Sequence, residues 1–382
     1  MRLDQACLSI VDCEHKTAPL DDLGEYFAVG TPAMRDHKIN YAEARRISRE
    51  TFEMWTRRLR PAAGDLLLAR EAPVGPVVLL PDAANVAPGQ RTVLLRPNPA
   101  VSDSRYLYYA LSAPSSQAAL QVKAEGSTVH HLNVPDIRSF DLALPPLPEQ
   151  QAIAEVLGAL DDKIAANTAL ANCADSYAAA LLLSEATGQL LSLGELATIT
   201  MGSSPKGEDL NERGDGVPFF QGVRDFGMRT PARRVFTTAP VRMAAAGDIL
   251  VSVRAPVGDV NLAAEAVCVG RGVAAVRSRT GNQSTLFHQL RAEREAWAPF
   301  EAEGTVFGSI NRDQLHSVRL QTVALERQGF VERQLSALEG VIAGLLEENR
   351  TLAGTRDALL PQLMSGKLRV RDAEAAASEA GA

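Results

Sequence analysis

The sequence predicts an α+β chain: two globular domains separated by a pair of long antiparallel helices, with an internal pseudo-twofold repeat. Three observations carry this expectation. The segment Gly64–Gly75 reads GDLLLAREAPVG, and Gly247–Gly258 reads GDILVSVRAPVG, 183 residues later. Two stretches, 147–183 and 331–363, carry apolar or small residues at steps alternating four and three, the seam of a helix packed lengthwise on another helix. An offset of 178 then maps Ile153 onto Val331, Leu160 onto Leu338 and Ile164 onto Ile342, so each copy is a globular part followed by a helix.

In chain order, the openings match loosely, Leu3–Ile10 with Leu193–Thr200. The runs GDLLLAR and VVLLPD, joined around Pro73, Gly75 and Pro76, read as two strands with a tight connection, and 91–96 reads as a third. Segments 104–112 and 115–122 read as helices. In the second copy, strands are expected near 248–253 and 267–276 and a helix near 286–297. Pro145, Pro146 and Pro148 fix an extended entry to the first long helix, which should run from Glu149 to Ser184, about 54 Å. The second long helix lacks those prolines in LQTVALERQGF (320–330), which leaves its start open by several residues. The last residues, RDAEAAASEAGA, show no core pattern and read as a mobile tail.

The chain has 382 residues, 46% hydrophobic and 22% charged, enough for two or three domains with cores. No run approaches a membrane span, and the N-terminus has no signal-peptide core. Four cysteines without CxxC spacing point to a reducing cytoplasm and no disulfide framework. The net charge of −7 argues against nucleic-acid binding only until its distribution is seen: segment 141–189 carries seven acidic groups and one basic one, so the globular parts are near neutral.

Catalytic motifs are not found. Gly202-Ser203-Ser204-Pro205-Lys206-Gly207 is followed by Glu208, so it lacks the phosphate-binding Gly-Lys-Ser/Thr ending. Pro97-Asn98-Pro99-Ala100 lacks the aromatic that an amino-methyltransferase motif would need. Cys7, Cys13 and His15 lack a fourth metal ligand nearby. No catalytic residue, cofactor or metal is expected.

The residues LPPLPEQQAIAEVLGALDDKI (144–164), the paired GDxL…APVG segments and LLPQLMSGKLRV (359–370) resemble the specificity subunits of type I restriction–modification systems. The resemblance spans almost the whole chain. It implies two target-recognition domains, each reading one half of a split site on double-stranded DNA. It also implies two long helices acting as a ruler, and docking of two methyltransferase subunits and restriction subunits onto a non-catalytic chain. The domains would be 1–144 and 188–322, the helices 145–187 and 323–370, and the tail 371–382.

Candidate DNA contacts follow from charge. Arg45, Arg46, Arg49, Arg57, Arg58 and Arg60 crowd the first domain, and Arg224, Arg229, Arg233 and Arg234 the second. Arginine grips phosphate or forks onto guanine. Acidic neighbours Glu43, Glu50 and Glu53 favour instead a solvated charged face. Lys16 and Lys206 sit on comparable early loops. The polar segments 125–133 and 303–311 add Ser127, Thr128, His130 and His131, and Thr305, Ser309 and Asn311, which can meet DNA or serve as caps and turns.

Each helical seam carries one Asn. Setting Asn167 opposite Asn349 makes facing seam positions sum to 516 and places Ile153 by Leu363 and Leu157 by Leu359. Such a spacer would hold the two reading heads about one DNA turn apart, roughly 34–36 Å. The rival expectation is a non-catalytic coiled-coil scaffold whose globular ends bind protein.

Overall fold

The computed structural model describes residues 1–35, 37–81, 83, 85–124, 130–301 and 308–382. It divides into two units, Met1–Ala166 with Glu348–Ala382, and Asn167–Glu347. Each unit takes part of both long helices, the central helix Leu147–Ser184 and the distal helix Leu325–Met364.

In the first unit, strands β1 (Cys7–Asp12), β2 (Tyr26–Val29), β3 (Arg45–Ile47), β4 (Leu66–Arg70), β5 (Val74–Leu79), β6 (Val86–Pro88) and β7 (Thr92–Pro97) build two sheets. The main sheet has the antiparallel order β1-β7-β4-β5, and the smaller one the order β3-β2-β6 with β2 and β6 parallel. The run LLLA in β4 is apolar throughout because both its faces are covered. Leu66 and Leu68 join the core shared with helix α1 (Ser104–Ser112) and the long helices, while Leu67 and Ala69 face the smaller sheet. Asp103 caps α1 by accepting from Tyr106 N at 2.8 Å, and α2 (Pro114–Lys123) follows with proline in its first turn.

The second unit repeats the plan. Its strands are β8 (Ala197–Met201), β9 (Val217–Phe220), β10 (Ile249–Ser252), β11 (Val260–Leu262), β12 (Val267–Val269) and β13 (Val273–Ser278), with helix α3 (Gln283–Ala292). The main sheet has the order β8-β13-β10-β11, and β9 and β12 form the parallel pair. Alternation recurs: Ile249 and Val251 face the helices, and Leu250 faces the smaller sheet.

The repeated APVG segment has a steric reason. The Ala–Pro bond is cis in both copies, and the closing glycines lie at φ +112° (Gly75) and +87° (Gly258). A Cβ there would come within 2.3 Å of Gln117 Oε1 and 2.3 Å of Trp297 Cγ respectively, so only glycine fits. The glutamine of PLPEQ is equally constrained. Gln150 is fully buried; its amide donates to Val101 O (2.9 Å) and Pro145 O (2.8 Å) and accepts from Asp103 N (3.0 Å), tying the start of the central helix to α1. Its repeat partner Gln328 donates to Val323 O and accepts from Asn282, so the device survives where the prolines do not.

The long helices run antiparallel within each unit. In the first, Asp161 meets Arg356 while Ile164, one turn on, meets Asn349. In the second, Glu185 pairs with Arg327, while Ala171 and Ala174 pack with Ile342. The expected seam is buried at Ile153, Leu157, Leu160, Ile164, Ala171, Ala174 and Ala178, and at Val331, Leu335, Ile342, Leu352, Leu359 and Leu363. At the end of the central helix Leu182 takes the buried place expected of Leu181. Asn167 falls in one unit and Asn349 in the other, and their pairing remains a proposal.

Three expectations change. The strand expected over 267–276 is two, because Gly270–Gly272 turns the chain: Gly270 N bonds to Phe220 O and Gly272 N to Gln221 O. The helix expected to end at Trp297 stops at Ala292, and a separate turn, Arg294–Trp297, buries the indole. The tail is not structureless. Val370–Glu379 is a helix whose Ala373 and Ala377 are buried in the first unit's core, where small side chains permit close approach.

Candidate DNA interface

The second globular part is fastened to its helices by charge. Arg229 is 3% exposed and donates to Asp175 (2.5 Å) on the central helix and Glu339 (2.8 Å) on the distal helix. Arg291 of α3 also pairs with Asp175, and His288 Nε2 meets Glu339 at 2.9 Å. Burial works against the charge on Asp175, but hydrogen bonds from Arg291 and Arg229 outweigh it and hold the carboxyl at about 2. Glu339 is likewise held below its ordinary value: burial opposes, and His288 and Arg229 prevail. Arg229 is therefore corrected from a candidate DNA contact to an internal tie. A buried guanidinium satisfied by two carboxylates cannot reach a phosphate. Asp175, His288 and Glu339 place ligand atoms within 4.8 Å of one another, yet the two carboxylates already carry guanidinium groups, whose fixed charge repels a cation.

The first unit has a counterpart. Asp161 accepts from Tyr109 Oη of α1 at 2.6 Å and from Arg356 at 2.6 Å, and Arg105 pairs with Asp162 at 2.7 Å. Burial, then the charge of Asp161, pushes the Tyr109 phenol far above its ordinary value, so it remains a donor.

Most candidate arginines of the first unit are exposed but engaged. Arg46 donates to Gly24 O (2.9 Å), Arg49 pairs with Glu53 (3.1 Å), and Arg57 and Arg58 both meet Glu14 (2.9 and 3.6 Å). Arg60 lies over the Phe52 ring. Lys16 and Arg45 are exposed without an ion pair among the described residues. Arg45, Thr17, Gln90 and Arg91 line one cavity of about 190 Å³. His131 forms a backbone bridge with Glu71, and His130 is exposed beside it.

In the second unit Arg233 pairs with Glu265 (2.7 Å), Arg234 with Asp225 (2.9 Å) and Lys206 loosely with Glu208 (3.6 Å). Arg224 is exposed without an ion pair among the described residues. Ser309 bridges Arg254 through the backbone, the same place that His131 and Glu71 hold in the first copy. The Asn311 side chain caps a helix, accepting from Gln314 N at 2.9 Å, which commits its oxygen locally. Ser127, Thr128 and Thr305 lie outside the described residues. Sequence reasoning passed over Arg254, which is exposed and stands in the repeated motif where the first copy has Glu71. That reversal of charge inside an otherwise shared segment was the available signal.

The fold thus defines a duplicated α+β protein whose copies share a scaffold and differ in surface chemistry. Residues 29–173 and 188–349 each match the type I restriction modification DNA specificity domain. The chain belongs to that family; it is a type I restriction–modification specificity subunit, the part of such a system that recognises the DNA target. It is 27% identical over 307 residues to a putative type I restriction enzyme MjaX specificity subunit of Methanocaldococcus jannaschii, covering 74% of this chain and 72% of that one. Its fold is similar to the crystal structure of a type I restriction–modification S subunit from M. genitalium, with a TM-score of 0.59, 17% identity and 95% of each chain covered. Among the described residues no helix is long and apolar enough to cross a membrane.

Proposed function

We propose that this subunit reads a two-part, asymmetric site on double-stranded DNA, one half-site per unit. Two methyltransferase subunits dock on its repeated scaffold, restriction subunits join them, and this chain itself carries no catalysis. The whole would act in the cytoplasm, where the DNA is. The observation that carries this reading is one sheet order built twice with unlike side chains at matched places outside the core, Glu71 against Arg254. Equal scaffolds suit two equal partners, and unlike surfaces suit two unlike half-sites. The test exchanges residues 188–322 for those of a relative and maps methylation in cells carrying the whole system. One half-site should change and the other persist. A change in both halves rejects independent reading, and DNA binding that is absent or insensitive to salt favours a protein-binding scaffold.

A further inference from the structure

Cations alone position a protein on DNA; reading sequence needs exposed side chains with a fixed donor and acceptor pattern. The parallel pair β9–β12 ends in such a place. Phe220 and Val269 are partners, and the next residues are Gln221 and the turn Gly270-Arg271. Gln221 and Arg271 are both exposed. Ser204, on the loop after β8, links them: its hydroxyl donates to Gln221 Oε1 at 2.7 Å and accepts from Arg271 N at 3.3 Å. Spending its one proton on Oε1, the hydroxyl ties the amide to the Arg271 turn. Nε2 is left facing no acceptor among the described residues, and Oε1 keeps a second lone pair.

The surroundings are cut to fit. A Cβ on Gly270 would stand 2.4 Å from Gln221 Oε1, and one on Gly272 2.3 Å from Gln221 O. The Arg271 guanidinium has no carboxylate partner among the described residues, whereas Arg233, Arg234 and Arg277 each have one. The first unit builds a similar arrangement from other residues. Its parallel pair ends at Val29 and Pro88, and exposed Gln90 accepts from Thr17 Oγ1 at 3.2 Å. There a Cβ on Gly89 would lie 2.4 Å from Gly30 N.

We propose that Gln221 and Arg271 are base-reading residues of the second unit, Gln221 pairing with an adenine and Arg271 with a nearby guanine through the major groove. This rests on the DNA-reading function proposed above. An amide with one free acceptor site and two free N–H groups matches the N6–H and N7 of adenine, and a guanidinium fork matches O6 and N7 of guanine.

The test enriches bound sequences from a randomised pool of duplex DNA, using the full chain alone and with its methyltransferase subunits. Gln221→Ala should relax the demand for one adenine in one half-site, lowering discrimination there about five- to hundred-fold. Arg271→Ala should do the same for one guanine. Ser204→Ala, which frees the amide without removing it, should give a smaller relaxation at the adenine. The other half-site should be unchanged in all three, and thermal melting should match wild type. An unaltered motif in Gln221→Ala and Arg271→Ala overturns the proposal while leaving DNA reading intact. So does a loss of affinity uniform across sequences, which would assign both residues to the backbone. Wild-type chain that enriches no sequence under either condition sinks the underlying reading.

Discussion

Asp161 and Glu339 stand 178 residues apart at matching positions of the two long helices, and each is gripped by the helix that closes its own sheet. Tyr109 makes the grip in one unit and His288 in the other. The carboxylate is kept and its partner varies, so the place where a globular part meets its helices is held in common while the chemistry drifts.

Arg229 should be the costliest arginine to remove in the second unit. Arg229→Ala leaves Asp175 and Glu339 short of a buried countercharge, and should lower stability by about 3–5 kcal/mol. Arg233→Ala breaks an exposed pair and should cost less than about 1 kcal/mol. Chemical denaturation of both variants checks the contrast; equal losses would mean that Arg229 is not the tie.

The same network sets a pH dependence. Asp175 titrates at about 2 when folded against 3.8 for the ordinary group, so its stabilisation is complete above the unfolded value and disappears as pH falls through the folded one. The stability gap between wild type and Asp175→Asn should therefore be constant above about pH 5 and shrink steadily towards pH 2. A gap that stays flat over that range rules out the ionised pair as its source.

Gln150→Leu should destabilise the first unit although it replaces a buried polar side chain with an apolar one. It strands Asp103 N and the carbonyls of Val101 and Pro145, each unsatisfied group costing about 1–3 kcal/mol. Hydrogen exchange should accelerate at the start of α1 and of the central helix. Unchanged protection at both places would show that water replaces the amide without loss.

Helix register can be read by cross-linking. With Cys173 replaced by Ser, Leu157→Cys with Leu359→Cys should form a disulfide on mild oxidation, because both side chains are buried in the first unit's core. Success only with Leu352→Cys or Gly366→Cys as the partner would reject the register that sets Asn167 against Asn349.

Free cations should carry the salt dependence of DNA binding. Arg224→Ala should reduce the slope of log affinity on log salt by about one unit, and Arg233→Ala with Arg234→Ala by less, because those two already hold acids. Titrations at graded salt decide; the reverse order would place the interface on the paired arginines.

The duplicated strands, the long seams and the APVG turns were legible because each is a local pattern seen twice. Pro73 and Gly75 marked a tight connection from local residues alone, and the structure puts Gly75 and Gly258 at positive φ. Arg229 was not legible. Its neighbours in sequence, Arg224, Arg233 and Arg234, stay at the surface, and only tertiary packing brings Asp175 and Glu339 to it. Among the arginines around 45–60, the local acids Glu43, Glu50 and Glu53 were visible, but Glu14, which meets Arg57 and Arg58, arrives from another part of the chain. The closing helix was missed because alanines carry little hydrophobic signal until a surface exists that admits nothing larger.

The core of the first unit is finished by Leu352, Leu359, Leu363, Ala373 and Ala377, whereas every residue of the second lies before 348. On the ribosome, then, the half that is begun first is completed last. Leu157 and Leu160 must wait, uncovered or provisionally covered, while about 190 further residues are made at roughly 5–20 per second. The delay is on the order of ten seconds or more, and the second unit, complete at Glu347, is made in full before the first has its last core residues. Chains that end between Glu347 and Leu352 should accordingly hold a sound second half and a first half prone to aggregation.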